Sequence, residues 1–340
     1  MGKLKVGVIG CGSIAQKRHL IEYDANEHTE IVAVCDVVKN RAKEIGEKYQ
    51  AQAFTDYEEL LKLEEIDVIS VCLPNYLHAP VSVASLKAGK HVLCEKPMAT
   101  TVMEANEMIQ AAEESDKTLM IGHNQRFVSS HQKAKQLIDS GEVGKVYSFR
   151  TTFGHGGPEG WSIDGKESWF FNGEQAVIGA LGDLGVHKAD LIRYLLGEVS
   201  EVGAMVETSA KDHSQVDDNA VSILKMENGA IGTLTASWSY KMSGDNSTVI
   251  YGEKAILRLE EDPDYSLIVQ YTNGEVVKYE LDKIQTNEEA GQTDSHVIDH
   301  FVDCILNNKP PLITGEEGKR SLEVILASLE SKEEKRIIKL

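Results

Sequence analysis

Apolar and polar residues alternate in blocks along the first part of the chain. Short apolar runs predict buried strands at 6–9, 30–36, 53–54, 66–73, 91–94 and 119–122. Between these runs, apolar residues at helical spacing predict helices over 14–23, 40–49, 57–63, 81–88 and 101–115. The run at 66–73 is apolar on both faces, as is typical of a central parallel strand covered by helices. The pattern predicts a doubly wound α/β domain over residues 1–123.

The pattern changes beyond residue 124, where strand-like runs dominate. After a predicted helix at 130–140, such runs lie at 146–153, 199–208, 220–226, 230–238, 248–251, 255–259, 267–271 and 276–281. Asn228-Gly229 and Asn273-Gly274 separate neighbouring runs and predict hairpins. We therefore expect residues 124–340 to form an α+β domain with an open, mainly antiparallel sheet. The broad face of that sheet either packs helices or pairs subunits into a homodimer or homotetramer.

Composition and charge exclude several kinds of partner. The net charge of -19 opposes binding to nucleic acid or to an anionic membrane surface. The chain enters its first strand within a few residues, leaving no room for a signal peptide, and has no apolar run of the ~20 residues that a membrane helix needs. We therefore expect a cytoplasmic protein. The five cysteines have no zinc-like spacing, and their odd number argues against a full set of disulfides.

A glycine turn follows the first predicted strand. Gly10-x-Gly12-x-x-Ala15, with Cys11, Ser13 and Ile14 at the variable positions, has the spacing of a dinucleotide-binding turn. Gly10 allows the tight turn, Gly12 admits a pyrophosphate, and Ala15 keeps the next helix close to the strand. The helix N-terminus then offers unpaired amides to the phosphates. The alternative is an ordinary tight turn between a strand and a helix.

Asp36 ends the second predicted strand, 21 residues after Ala15. A carboxylate at this place accepts hydrogen bonds from the adenosine ribose hydroxyls and repels the 2′-phosphate of NADP. The position therefore favours NAD as cofactor and makes NADP a weaker candidate, although Lys39 or Arg41 could restore some NADP binding. The alternative role for Asp36 is to cap the following helix.

Two further loops follow predicted parallel strands, and ligands bind where such strands end. Pro74, Asn75 and His78 follow the run at 66–73 and are candidate cofactor contacts. The alternative is that they only form a loop and the start of a helix. Glu95 and Lys96 follow the run at 91–94 and are expected at the same edge. An ammonium beside a nicotinamide can orient a substrate hydroxyl and stabilise developing oxyanion charge. The alternative is that Lys96 is an ordinary surface lysine paired with Glu95.

A second set of chemically competent residues lies in the predicted helix that begins near residue 184 and stops at Gly197. Asp183 and His187 are four residues apart, which places them on one helix face. The carboxylate could support the imidazole as a general base. The alternatives are a helix cap beside a structural histidine, or two ligands of a metal; no third ligand is suitably spaced, and we predict no metal site.

The longest irregular segment, residues 154–171, is rich in glycine and aromatic residues. Long loops in compact domains are often functional, so His155, Trp161 and Trp169 are candidates for lining a substrate pocket. The alternative is that these aromatic residues serve packing alone.

Taken together, these motifs resemble the glucose-fructose oxidoreductase/inositol dehydrogenase (Gfo/Idh/MocA) family across essentially the whole chain. The residues that carry the resemblance are Gly10-x-Gly12-x-x-Ala15, Glu95-Lys96-Pro97, Gly122-His-Asn124-x-Arg126-Phe and Gly182-Asp183-x-x-x-His187. The resemblance implies a Rossmann domain, a C-terminal sheet often used in oligomer contacts, and a catalytic set of Lys96, Asp183 and His187. It also implies substrate contacts from Asn124 and Arg126. Gln125 departs from the tyrosine that is frequent in relatives, which puts the substrate contact of that position in doubt.

The resulting hypothesis is a reversible, NAD-linked oxidation of a secondary hydroxyl on a cyclitol of the inositol type or on a sugar. His187 would remove the hydroxyl proton, Asp183 would support the imidazolium, and Lys96 would polarise the oxygen. Two alternatives come from other functional classes. One is an NAD-dependent glycosidase that oxidises its substrate transiently, and the other is a non-catalytic NAD-binding sensor.

Overall fold

The computed structural model describes residues 2–281 and 294–340, and these ranges contain two separate sheets. The strands of the first sheet are β1 (Leu4–Ile9), β2 (Thr29–Cys35), β3 (Gln52–Phe54), β4 (Val68–Val71), β5 (His91–Cys94) and β6 (Leu119–Ile121). They are parallel and run in the order β3-β2-β1-β4-β5-β6. This order makes β1 and β4 neighbours at the point where the chain reverses direction across the sheet, which is where such sheets bind ligands.

Helices connect these strands and bury them. They are α1 (Leu20–Ala25), α2 (Lys39–Tyr49), α3 (Tyr57–Leu61), α4 (Asn75–Lys87) and α5 (Val102–Ser115). All four residues of β4 are buried, as expected for a central strand that is covered on both faces. The doubly wound α/β architecture predicted for this part of the chain is therefore confirmed.

Two helix starts differ from the prediction. The first helix opens with a π-helical turn over Ala15–His19 before α1 begins. The helix predicted at 81–88 begins at Asn75 instead, because Pro80 is accommodated inside α4. Asn75 and His78 therefore lie on a helix rather than in a loop, and their side chains have defined directions.

The second sheet is mainly antiparallel, as predicted. Its strands are β7 (Val146–Gly154), β8 (Val199–Glu207), β9 (Asn219–Met226), β10 (Ile231–Ser237), β11 (Thr248–Gly252), β12 (Ala255–Leu259), β13 (Leu267–Tyr271), β14 (Val276–Tyr279) and β15 (Ile338–Lys339). Their order is β14-β13-β12-β11-β7-β10-β9-β8-β15, with β10 and β7 parallel. Both predicted hairpins are confirmed: Gly229 and Gly274 adopt positive φ in the turns that join β9 to β10 and β13 to β14.

Helices cover one face of the second sheet. The helices in this part of the chain are α6 (Ser129–Asp139), α7 (Gly173–Ala176), α8 (Val186–Leu196), α9 (Val297–Leu306) and α10 (Gly315–Glu334). Of these, α8 packs against β7 and α10 packs against β8. The opposite face leaves apolar side chains exposed, among them Met205, Ile223 and Ile231.

The chain returns to the first sheet near its C-terminal end. The amide of Ile121 donates to the carbonyl of Ile313 at 3.1 Å, which extends the edge of β6. Asn26 Nδ2 donates to Asp299 Oδ1 at 2.7 Å, which ties α9 to the first domain. The boundary between residues 123 and 124 remains a prediction. None of the helices in 2–281 and 294–340 combines the length and apolar character that a membrane crossing requires.

Candidate active site

A cleft of about 390 Å³ opens at the carboxyl ends of β1 and β4 and continues toward the second sheet. The glycine turn and Asp36 line its first-domain wall. Lys96 lies further along, opposite Asp183 and His187 of the second domain. The structure thus brings residues from distant parts of the chain into one cleft.

The glycine turn has the shape that a pyrophosphate requires. Gly10 has φ of +92°, and a Cβ there would come within 2.2 Å of the carbonyl oxygen of Cys72. Gly12, Ser13 and Ile14 line the cleft, and a Cβ on Gly12 would meet no atom within 4 Å. The backbone at Gly12 is therefore open to a ligand, while Cys11 and Ala15 are fully buried beneath the turn. These features fit a bound dinucleotide.

Asp36 lies directly beyond β2, beside the glycine turn. Its carboxylate accepts hydrogen bonds from the amides of Cys11 at 3.0 Å and Val38 at 2.8 Å. It does not cap α2, whose N-cap residue is Val38. The side chain therefore lines the cleft in a fixed orientation.

Pro74, Asn75 and His78 line the cleft on the neighbouring loop and helix start. The Asn75 amide donates to the carbonyl of Ala176 at 2.7 Å. The His78 ring nitrogens lie 2.6 Å from the carbonyl of Pro97 and 2.7 Å from that of Leu73. Burial lowers the pKa of His78, so its imidazole is neutral near pH 7. The Asn75 contact holds α4 to the second domain. The His78 contact with Pro97 fixes the loop that carries Lys96.

Glu95 is a buried carboxylate rather than a surface partner of Lys96. Its Oε1 lies 2.8 Å from His19 Nε2 and 3.3 Å from Arg18 NH1, and its Oε2 accepts from the Lys96 amide at 3.3 Å. Burial alone would raise the pKa of Glu95, but the hydrogen bond from His19 and the charge of Arg18 outweigh it and lower the pKa to about 2. The ionised carboxylate therefore fixes the backbone from which Lys96 projects.

The Lys96 ammonium reaches into the second domain. Its Nζ donates to the Asp183 backbone carbonyl at 2.8 Å and to the Asp183 carboxylate at 3.1 Å. The other carboxylate oxygen accepts from the indole N–H of Trp238, also at 3.1 Å. Asp183 lies in a π-helical turn, Leu181–Gly185, that precedes α8. The expectation that Asp183 holds the His187 imidazole is not met, because its carboxylate is directed to Lys96 and Trp238.

His187 lies on the first turn of α8 and lines the cleft beside Lys96. Its ring centroid is 5.7 Å from that of Phe153 and 6.4 Å from that of His123. Among the residues that the structure describes, none hydrogen-bonds its Nδ1. Desolvation and the nearby Lys96 charge lower the pKa of His187 well below its usual 6.5. The imidazole is therefore neutral at pH 7.

Aromatic and polar side chains surround the second-domain end of the cleft. Asn124, Gln125, His155 and Trp161 all line it. His155 and Trp161 contact each other edge to face at 6.4 Å, so they lie on one wall of the cleft. The irregular segment at 154–171 contributes further rings, with Trp169 stacked on Phe170 at 3.8 Å. The lining therefore offers both apolar rings and hydrogen-bonding groups to a ligand.

Arg126 does not reach the cleft, contrary to the expectation of a substrate contact. Its guanidinium donates to both carboxylate oxygens of Asp190, at 2.9 and 2.7 Å, and to Glu317 at 2.7 Å. The side chain is 5% exposed, so it cannot leave these carboxylates without exposing a buried charge. The arginine ties the segment after β6 to α8 and α10.

Sequence analysis did not identify three residues that shape this site. Trp238 comes from the end of β10 and binds Asp183 from 55 positions away. Arg18 lines the cleft from the π-helical turn that follows the glycines. Asp164 pairs with Arg41 across the two domains. None belongs to a motif, and the aromatic residues in Ser237-Trp-Ser-Tyr240 are the sequence feature that could have drawn attention to Trp238. Within the described part of the chain no group of His, Cys, Asp and Glu residues could hold a metal.

Both parts of the chain match known protein families in sequence. Residues 4–123 match the model of the GFO/IDH/MocA oxidoreductase family with its NAD-binding Rossmann fold, and residues 131–258 match the GFO/IDH/MocA C-terminal domain. Myo-inositol 2-dehydrogenase of Thermotoga maritima is 27% identical and covers 99% of this chain and 98% of its own length.

Levoglucosan dehydrogenase is similar in both sequence and structure. The enzyme of Pseudarthrobacter phenanthrenivorans is 30% identical over 70% of this chain and 68% of its own length. A solved structure of levoglucosan dehydrogenase in complex with NADH superimposes with a TM-score of 0.87 at 25% identity, covering 99% of each chain.

Proposed function

Because this chain belongs to the GFO/IDH/MocA family of oxidoreductases, we propose that its cleft oxidises a secondary hydroxyl of a cyclitol or sugar with NAD. The chain is an NAD-dependent oxidoreductase with relatives that act on cyclitols and sugars. The observation that carries the assignment is the meeting of Lys96, Asp183 and His187 in the cleft that contains the glycine turn and Asp36.

The roles of the three residues follow from their surroundings. The neutral His187 imidazole accepts the proton of the substrate hydroxyl. The Lys96 ammonium donates a hydrogen bond to the same oxygen and stabilises the negative charge that develops there. Asp183 holds Lys96 in position through its carboxylate and its backbone carbonyl. NAD, when bound, supplies the nicotinamide carbon that accepts the hydride.

Gly12, Ser13 and Ile14 would hold the pyrophosphate of NAD, and Asp36 would accept the hydroxyls of the adenosine ribose. Asn75 and His78 support the wall between the glycine turn and Lys96, with their side chains bonded to backbone carbonyls. Glu95 keeps Lys96 at the end of β5. Asn124, His155 and Trp161 would contact the substrate beyond it.

The charges in the cleft favour a neutral substrate. The lysine and arginine side chains that line it in the described part of the chain are Arg18, Arg41 and Lys96. Each faces a carboxylate, so a phosphate group on the substrate would compete with an existing ion pair. A neutral polyhydroxylated ring instead suits the aromatic walls and hydrogen-bonding groups. Myo-inositol and levoglucosan, named for the relatives, are of this kind.

The assay tests a panel of cyclitols, free sugars and glycosides as substrates. Each reaction is monitored by the absorbance of NADH and by chromatography of the product. The proposal expects stoichiometric formation of NADH and of a ketone. The dehydrogenase names of the relatives do not favour the glycosidase or sensor alternatives. A new product without lasting NADH, or NAD binding without turnover of any neutral polyol, would contradict the proposal.

We also propose that the exposed face of the second sheet pairs with a second copy of the chain. Met205, Ile223 and Ile231 are 81%, 58% and 51% exposed on neighbouring strands. Light scattering should give a dimer or tetramer that Ile223→Glu dissociates, and a wild-type monomer would refute this pairing. A cytoplasmic location, also proposed, is consistent with five unpaired cysteines.

A further inference from the structure

A short second-domain segment, residues 161–164, lies across the glycine turn; we name it the strap. The Ser13 hydroxyl donates to the carbonyl of Trp161 at 3.1 Å and accepts from the amide of Ile163 at 3.1 Å. Ser13 is the residue after Gly12, where the backbone is open to a pyrophosphate. One side chain of the cofactor turn thus satisfies two backbone groups of the strap, and so fixes its place over the cleft.

The last residue of the strap, Asp164, reaches the adenosine end of the cleft. Its carboxylate lies 2.8 Å from Arg41 NH2, while Arg41 NH1 lies 3.5 Å from the carboxylate of Asp36. Arg41 is 22% exposed and Asp164 is 41% exposed. One guanidinium is therefore held between two carboxylates, one from each domain, and all three side chains line the cleft.

This arrangement bears directly on the choice between NAD and NADP. A carboxylate at the position of Asp36 accepts the ribose hydroxyls of NAD, whereas a nearby arginine is the group that accommodates a 2′-phosphate. The chain contains both, so that Asp36 favours NAD while Arg41 could restore some binding of NADP. Asp164 shifts the balance, because it engages the guanidinium and adds a second negative charge beside the ribose site.

We propose that Asp164 is a cofactor-specificity residue: by pairing with Arg41 it withholds that guanidinium from a 2′-phosphate and strengthens the preference for NAD over NADP. This additional specificity determinant thus lies on the second domain, outside the βαβ unit that binds the dinucleotide. The inference depends on cofactor binding alone and does not require the substrate to be known.

The test is Asp164→Asn, with dissociation constants for NADH and NADPH measured by fluorescence titration at one fixed salt concentration, since salt screens such pairs. The ratio of the NADPH constant to the NADH constant should fall about fivefold, the size of effect that a partly exposed ion pair supports. The matched control is Glu167→Gln. It removes one negative charge from the same loop and the same cleft lining but leaves the pair between Arg41 and Asp164 in place. Its ratio should stay within about twofold of the wild type.

A second variant tests the route through Arg41. In an Arg41→Ala background, Asp164→Asn should improve NADPH binding much less, because no guanidinium remains to be released and only the removal of one negative charge is left. An unchanged ratio in Asp164→Asn overturns the proposal. An equal change in Glu167→Gln, or a full gain that persists in the Arg41→Ala background, also overturns it. Thermal midpoints and retained NADH binding verify that each variant is folded, which is expected because Asn has the shape of Asp and position 164 is partly exposed.

Discussion

The indole of Trp238 offers a direct test of how Asp183 is held. Trp238 is fully buried and donates to Asp183 Oδ2, while Lys96 occupies Oδ1. Trp238→Phe deletes this N–H and keeps an aromatic ring in the cluster with Phe170 and Phe171. The carboxylate then loses one of its two side-chain partners, and Lys96 loses the fixed acceptor that orients it.

The size of the effect follows from the hydrogen bond. A bond to a charged acceptor is worth about 1.5–3 kcal/mol, and its loss should lower the free energy of unfolding by about this amount plus a smaller packing cost. If about 1.5 kcal/mol of orientation is lost in the transition state, kcat falls about tenfold. The dissociation constant for NADH should change less than about twofold, because Trp238 does not line the cleft and the unchanged fold of the variant leaves the cofactor contacts in place.

Phe171→Leu is the matched control. Phe171 is buried and contacts Trp238 edge to face at 5.7 Å, yet it is not bonded to Asp183. It should therefore lose stability and retain kcat. The assay combines urea unfolding with turnover of the substrate found in the panel and with NADH titration. Equal losses of kcat in the two variants, or a large change in NADH binding in Trp238→Phe, would refute the positioning role.

Three further predictions concern residues that the structure places in or beside the cleft. Lys96→Met and His187→Ala should each keep NADH binding within about twofold while turnover falls roughly 100-fold or more, and wild-type turnover in either would remove its assigned role. Glu95→Gln tests a carboxyl whose pKa is lowered from 4.5 to about 2 in the folded state. A lowered pKa stabilises the fold fully above pH 4.5, so the wild-type advantage in urea unfolding should be complete at pH 7 and disappear as the pH falls toward 2. Arg126→Met should lower the free energy of unfolding by about 3–5 kcal/mol, because it leaves the buried Asp190 carboxylate unpaired. A raised KM with unchanged stability would instead restore the substrate role that the sequence implied.

The parts of the site that could be predicted from sequence have local causes. Gly10 must adopt positive φ in a turn that approaches Cys72, and Asp36 follows a strand whose end is set by its own apolar pattern. The hairpins at Gly229 and Gly274 are also local, since each needs only a turn residue between two alternating runs. The position of Lys96 in the cleft could be predicted because it follows a parallel strand, and the carboxyl ends of parallel strands share one ligand-binding edge.

The parts that could not be predicted depend on contacts between distant residues. Arg126 follows the sixth strand as expected, but its partners Asp190 and Glu317 lie 64 and 191 positions away. The spacing of Asp183 and His187 suggested a mutual contact on one helix face. The observed π-helical turn and the arrival of Trp238 from β10 direct the carboxylate elsewhere, and neither has a sequence signature within that helix.

The ion pairs across the cleft explain how the two domains form one site. Lys96 of the first domain pairs with Asp183 of the second at 3.1 Å, and Arg41 pairs with Asp164 at 2.8 Å. The side chains of the inner pair are 14% and 7% exposed, whereas Asp164 is 41% exposed. Because water and salt screen exposed charges far more than buried ones, the outer pair is the weaker of the two. Added salt is therefore expected to weaken the pair of Arg41 and Asp164 at the adenosine end of the cleft before it weakens the pair of Lys96 and Asp183.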